Sequence, residues 1–344
     1  MRQRPLRSIV TTAVLVLACG AAQPSASAPG NKKGTARDAP KAPRAPAKAP
    51  VLGAGTVERV KRAWEIAIGG KGRAVAVSKK LGRVAAASGS PLYLLELRRG
   101  GDVKKLAVCA DVVRGGIGFF GKKLVVVCEN GIEVWDPKAL TREQAPELAP
   151  ARITAAALQP PHIALGQHDG VIRILSLEGG PATEIRVPGP PIDVKSLALT
   201  RDASHVAVAW VQGSVWWWST AEPETSHQLV RHEAESDAVA FSRDGSLLAE
   251  EGKESFTTVW AFGDPATEKA AVRNGQWVKR IHFTDDSSFM VRGGSDGLEL
   301  AEIAGPRRIA LDTRDPVEDV GLDESSGSFA AIDRSGRVTY WSIK

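Results

Sequence analysis

From Gly53 onward, short apolar runs alternate with turn residues in a fixed order. Each unit reads apolar strand, turn, apolar strand, tight turn with Gly, then a strand closing on a large residue. The clearest copy is "DAVAFSRDGSLLAEEGKESFTTVWAF", Asp237 to Phe262. Others end in "GIEVWDP" (Gly131 to Pro137), "GVIRILS" (Gly170 to Ser176), "GSVWWWS" (Gly213 to Ser219), "GLELAEI" (Gly297 to Ile303) and "GRVTYWS" (Gly336 to Ser342). A weaker copy, "SPLYLLEL" (Ser90 to Leu97), comes first. One anchor per copy, Leu95, Trp135, Leu175, Trp218, Trp260, Ala301 and Trp341, gives steps of 40, 40, 43, 42, 41 and 40 residues. Runs of this length with turn residues between them predict strands rather than helices.

A step of about 40–45 residues is that of a four-stranded propeller blade. The pattern therefore predicts an all-β chain, a seven-bladed β-propeller of four-stranded blades over residues 53–344. The last copy, from Val317 to Lys344, has room for three strands. The strand-like "ERVKRAWEIAI" (Glu58 to Ile68) precedes the first full copy and is expected to supply the fourth. Pairing of the N- and C-terminal segments would close the ring, because an open ring leaves unpaired edges and bare apolar faces.

The same register decides how to read the tryptophan triplet in "GSVWWWS". A strand covered on both faces does not force any side chain into water. Trp218 takes the anchor position, Trp216 shares its face, and Trp217 points the other way with Val215. All three are expected to be packing residues rather than an aromatic platform.

These residues resemble the WD-repeat family. "VAFSRDGSLLA" (Val239 to Ala249) looks like that family's first two strands and their turn, and "VWD" (Val134 to Asp136) contains its dipeptide. The Gly-His that usually opens a repeat is missing, with Arg231-His232 its nearest stand-in. The polar residues that usually bond to the blade tryptophan are not consistently present. The resemblance implies a protein-interaction platform.

The chain's start has a different composition. Arg2, Arg4 and Arg7 precede an apolar stretch, Ile9 to Ala18, that is too short to span a bilayer. This is the pattern of a secretory signal over residues 1–18. Its end, "VLVLACG", resembles the lipobox of bacterial lipoproteins, with Val16 and Leu17 as departures. The resemblance implies lipidation of Cys19, and Gly20 after it favours the outer membrane. Plain secretion with cleavage after "ASA" (Ala26 to Ala28) is the alternative, disfavoured by Pro29. Residues 19–52, rich in Ala, Pro and Lys, cannot build a core and read as a solvated tether. If fully polyproline-like, residues 21–52 would reach on the order of 100 Å at about 3.1 Å each.

The formal net charge of +6 divides unevenly. The first 18 residues carry +3 and residues 19–52 carry +5, which leaves −2 for residues 53–344. The basic excess thus belongs to the ends, and a nucleic-acid partner is not expected.

Candidate chemistry is sparse. The six histidines, His162, His168, His205, His227, His232 and His282, show no metal-site spacing. "QHDG" (Gln167 to Gly170) and "GGSDG" (Gly293 to Gly297) sit where two strands turn, and no helix follows to receive a phosphate. There is no hydrolase elbow, and the repeated tryptophan-docking phrase of quinone propellers is absent. No catalytic residue, metal or cofactor is assigned. Cys109 and Cys128 map to one rim, where a disulfide enclosing about 20 residues would contribute roughly 3 kcal/mol; two buried free thiols are the alternative. The expectation is a monomeric, membrane-anchored scaffold for a protein partner in the bacterial cell envelope; a propeller enzyme or cofactor binder of the quinoprotein-like type, or a cell-wall glycan binder, is the alternative. The scaffold's candidate contact rim is Gln167, His168, Arg231, His232, Glu233, Arg314 and Asp315.

Overall fold

The computed structural model describes residues 50–344 except 149–150, 190–192, 211–212, 233–234, 253–254, 264, 276 and 324–326. The signal segment, Cys19, the tether up to residue 49 and Glu233 lie outside the described residues.

The described chain is all-β, with a 3₁₀ turn at Val57–Arg59 as its one helical element. Its strands form antiparallel sheets of four. Five sheets are separate, and one of eight strands consists of two such sets, residues 112–143 and 153–186. A single parallel bridge between Arg114 and Ala155 joins those sets. The first strand of each set lies against the first strand of the next. The last of these, Val317–Leu322, lies against the earliest, Ala74–Ser78. Two side chains tie that contact: Asp319 Oδ2 accepts the Val75 N–H at 2.9 Å, and Asp323 Oδ1 accepts the Lys79 N–H at 3.0 Å.

The strand Val60–Ala67 completes the sheet of residues 317–343. It pairs antiparallel with Arg337–Ile343, from Val60 opposite Ile343 to Ala67 opposite Arg337. Glu58 and Arg59, expected within this strand, belong to the 3₁₀ turn instead.

All seven anchors occupy the third strand of their set, each opposite an apolar residue of the second. The pairs are Leu95–Val84, Trp135–Leu124, Leu175–Ile163, Trp218–Val206, Trp260–Leu248, Ala301–Met290 and Trp341–Phe329. Second strands such as Leu247–Gly252 and Phe329–Asp333 are buried at every position. Coverage on both faces explains why they read as continuous runs instead of alternating ones.

The tryptophan triplet shows how neighbouring sheets interlock. Trp218 is fully buried, and Trp216 joins it in a cluster with Ile172, Ile174 and Val194. Trp217 and Val215 face the opposite cluster, with Val239, Leu248 and Phe262. The Trp217 ring stacks on His227 at 4.0 Å and meets Phe262 edge-on at 5.0 Å.

A recurrent turn sets the first hairpin of three consecutive sheets. Asp202, Asp244 and Asp286 each accept the N–H and hydroxyl of a serine two residues on: Ser204, Ser246 and Ser288. The aspartate thus closes an Asx turn while the hydroxyl fills its second lone pair. These bonds hold the Asp202 carboxyl down to about 2, the Ser204 hydroxyl contributing most.

Candidate functional site

Six first strands carry a register shift near their start. A bulge leaves a residue unpaired and re-aims its side chain. The displaced residues are Thr154, Lys195, Asp237, Lys279 and Glu318, with Val113 to Gly116 displaced in the strand Val112–Phe120. Thr154, Lys195, Lys279 and Glu318 line a cavity of about 830 Å³ where the first strands begin. Lys71, Arg73, Arg114, Arg152 and Arg334 complete its wall, together with Asp111, Glu129 and Asp193.

Part of this charge is paired internally. Glu318 accepts hydrogen bonds from Lys279 Nζ at 2.6 Å and Arg334 Nε at 3.1 Å. Burial pushes its carboxyl up, but these two cations outweigh burial and hold it below the ordinary value. Arg152 reaches Asp193 at 3.1 Å. Lys195 stands 4.0 Å from Glu235.

Arg280, next to Lys279 in its strand, lines a separate cavity and not the mouth. Its Nε lies 2.8 Å from Asp319 Oδ1, an ion pair without hydrogen-bond alignment. Burial raises the Asp319 carboxyl above its ordinary value, against the pull of Arg280, the Val75 N–H and Arg114. On the opposite side, Gly115 has φ +67°, and a Cβ there would stand 2.2 Å from Arg280 Nη2. Only glycine fits both the backbone and the guanidinium. That second cavity, of about 300 Å³, is lined also by Phe119, His282 and Asp323. The His282 ring donates from Nε2 to the Val320 carbonyl at 2.8 Å, and burial drives it down to about 4, so it is neutral at pH 7.

The rim residues expected from sequence are spread over three sheets at this same end. His168 is exposed, and its N–H donates to the Arg152 carbonyl at 3.0 Å. Gln167 departs from the expectation: it is 1% exposed, with neither amide atom partnered, so its side chain does not face solvent. A turn motif marks where the backbone reverses, not which way the preceding strand residue points. Arg231, Arg314 and Asp315 are exposed, and Arg314 pairs with Glu65 at 3.1 Å. The His232 imidazole is nearly buried, with Nε2 2.8 Å from Glu250 Oε2.

Cys109 and Cys128 are joined by a disulfide, with Cα atoms 6.2 Å apart. The bond braces one wall of the mouth, because Asp111 and Glu129 follow the two cysteines and the Glu129 N–H donates to the Asp111 carbonyl at 3.1 Å.

Glu251, next to Glu250, is also buried. One of its oxygens accepts the Val278 N–H at 3.1 Å, and the other has no partner. Burial pushes its carboxyl up to about 8. A carboxyl raised on folding stabilises the fold fully below about pH 4.5, and that contribution is lost as pH rises through about 8. Glu251→Gln keeps the acceptor and removes the titration. It is expected to gain on the order of 3 kcal/mol over wild type above pH 8 and nothing near pH 4. Urea midpoints measured across that range check this; parallel profiles for the two proteins would refute it.

Among the described residues, no group of three His, Cys, Asp or Glu side chains is placed to hold a metal ion. Nor is any helix long and apolar enough to cross a membrane. The fold and the mouth together define an all-β repeat protein of propeller-like build. No family model matches the chain, and no curated protein matches it significantly.

Proposed function

We propose that this chain is a closed, seven-bladed, WD-repeat-like propeller that acts as a protein-interaction scaffold in the bacterial cell envelope, tethered through a lipid at Cys19. The eight-stranded sheet counts as two blades, because among the described residues one parallel bridge is the only strand pairing between its two complete antiparallel sets. The contact between Val317–Leu322 and Ala74–Ser78 supports closure. One observation carries the functional reading: bulges on successive first strands turn polar side chains into one shared mouth, ringed by exposed Arg and His. Bulges of this kind gather at binding sites, and fold alone would license no such step.

Crosslinking in intact envelopes followed by affinity capture of the full chain tests it. A defined protein partner is the expected result. Capture of wall glycan instead, lost when residues 31–50 are deleted, would overturn the reading, as would a bound chromophore in the purified protein.

A further inference from the structure

We propose that the mouth receives an acidic peptide segment of the partner, a stretch bearing Asp and Glu beside apolar side chains; this deepens the protein-binding reading and rests on it.

The wall of the mouth holds seven cations, Lys71, Arg73, Arg114, Arg152, Lys195, Lys279 and Arg334, and four carboxylates, Asp111, Glu129, Asp193 and Glu318. Its net charge is +3, set in a folded region of net −2. The positive charge is therefore concentrated in one concave place, where low-dielectric walls focus the field toward an incoming anion. Internal pairing does not consume it. Glu318 takes Lys279 and Arg334, and Asp193 takes Arg152. Among the described residues, Lys71, Arg73 and Arg114 have no carboxylate within ion-pair distance. Guanidinium groups suit planar carboxylates, which they can grip with two parallel bonds.

Two features favour a peptide over a phosphate polymer. The four carboxylates interrupt the cationic wall, and a uniform polyanion would meet them as repulsion. At the end of the sheets where the mouth opens, Trp277 is 52% exposed and Phe256 is 41% exposed. Trp277 immediately precedes Val278 and the mouth residue Lys279. Phe256 starts the third strand of its sheet opposite Gly252, which pairs with Ser236 at the start of the first strand, so it lies at the same end. Exposed Trp and Phe beside Arg are the composition of a protein-binding hot spot, and a phosphate chain has no apolar group for them.

The test uses the full chain, so that the basic tether is common to every variant. Three probes are compared by fluorescence anisotropy: a peptide of Asp and Glu interspersed with Leu and Phe, the same peptide with Lys replacing the acids, and inorganic polyphosphate. The acidic peptide is expected to bind, with affinity falling as salt rises. Lys71→Glu with Arg73→Glu, both in a loop, should weaken it about tenfold, and Arg114→Glu should do the same. Lys122→Glu and Arg201→Glu, in turns at the opposite end, should leave it unchanged. Trp277→Ala should weaken the peptide and not polyphosphate. Thermal melts show that each variant is folded.

Equal binding of the acidic peptide by wild type and the Lys71/Arg73 variant overturns the proposal. Polyphosphate binding tighter than the peptide, insensitive to Trp277→Ala, also overturns it. The wider reading is tested apart: if the Lys71/Arg73 variant still captures the envelope partner, the acidic-segment inference falls and the scaffold reading stands.

Discussion

Deleting residues 58–68 is expected to abolish cooperative unfolding. The strand Val60–Ala67 pairs along the length of Arg337–Ile343, so its loss leaves that strand as a bare edge. The apolar loss is as serious. Val60 is buried in one cluster with Phe289, Phe329 and Trp341, and the Trp64 ring stacks on Tyr340 at 5.5 Å. Trp64 also donates from Nε1 to the Leu97 carbonyl of the neighbouring sheet at 2.8 Å. Among the described residues, no other strand pairs with that edge of Arg337–Ile343. Differential scanning calorimetry should show a broad, non-two-state transition or none. Deleting residues 21–50 should leave one sharp transition, since their Ala/Pro/Lys-rich composition cannot build a core. A single unchanged transition after the first deletion would refute the role assigned to this strand.

Replacing Trp218 or Trp217 with Ala is expected to cost about 3–5 kcal/mol each. Stability of a whole domain is typically only about 5–15 kcal/mol, so either change should shift the urea midpoint far, and the pair should not fold. The mechanism is cavity formation between sheets. Trp218 fills the space toward the sheet of residues 153–186, and Trp217 fills the space toward residues 236–273. Trp216 is only partly buried, and its indole nitrogen has no partner, so Trp216→Ala should cost less. Equal midpoints for the three variants would contradict this packing.

Much of the architecture was legible because burial is written once per turn of a roughly 40-residue cycle. The seven anchors recur at the third strand since that position must always meet an apolar residue of the second. The pairing of the segment after residue 58 with the chain's end was legible for the same reason: a three-stranded last unit lacks an edge. The mouth was not legible in that way. It is built from one polar residue per unit, each displaced by a bulge, and alternation of apolar and polar positions does not encode a bulge. A signal was nevertheless present. Thr154, Lys195, Asp237, Lys279 and Glu318 each stand second in their strand, in "ITAA", "VKSL", "SDAV", "VKRI" and "VEDV", at steps of 41, 42, 42 and 39 residues. The carboxylates Glu250 and Glu251 were illegible too. Composition places adjacent glutamates in solvent, and only the sheets on either side bury both.

The packing of the first described residues has a mechanical side. Leu52 is 1% exposed, and its carbonyl accepts the Asp285 N–H at 3.2 Å. Two residues on, the Ala54 N–H donates to Asp286 Oδ2 at 2.8 Å. Tension arriving along the chain from its N-terminal side meets this plug before it meets the paired strand. It must pull Leu52 and Val57 out of an apolar socket shared with Phe289 and Trp341 before the pairs between Val60 and Ile343 feel any strain. A body held by that end alone would thus yield first at a short, re-formable stopper, while the rest of the molecule keeps its shape under the pull.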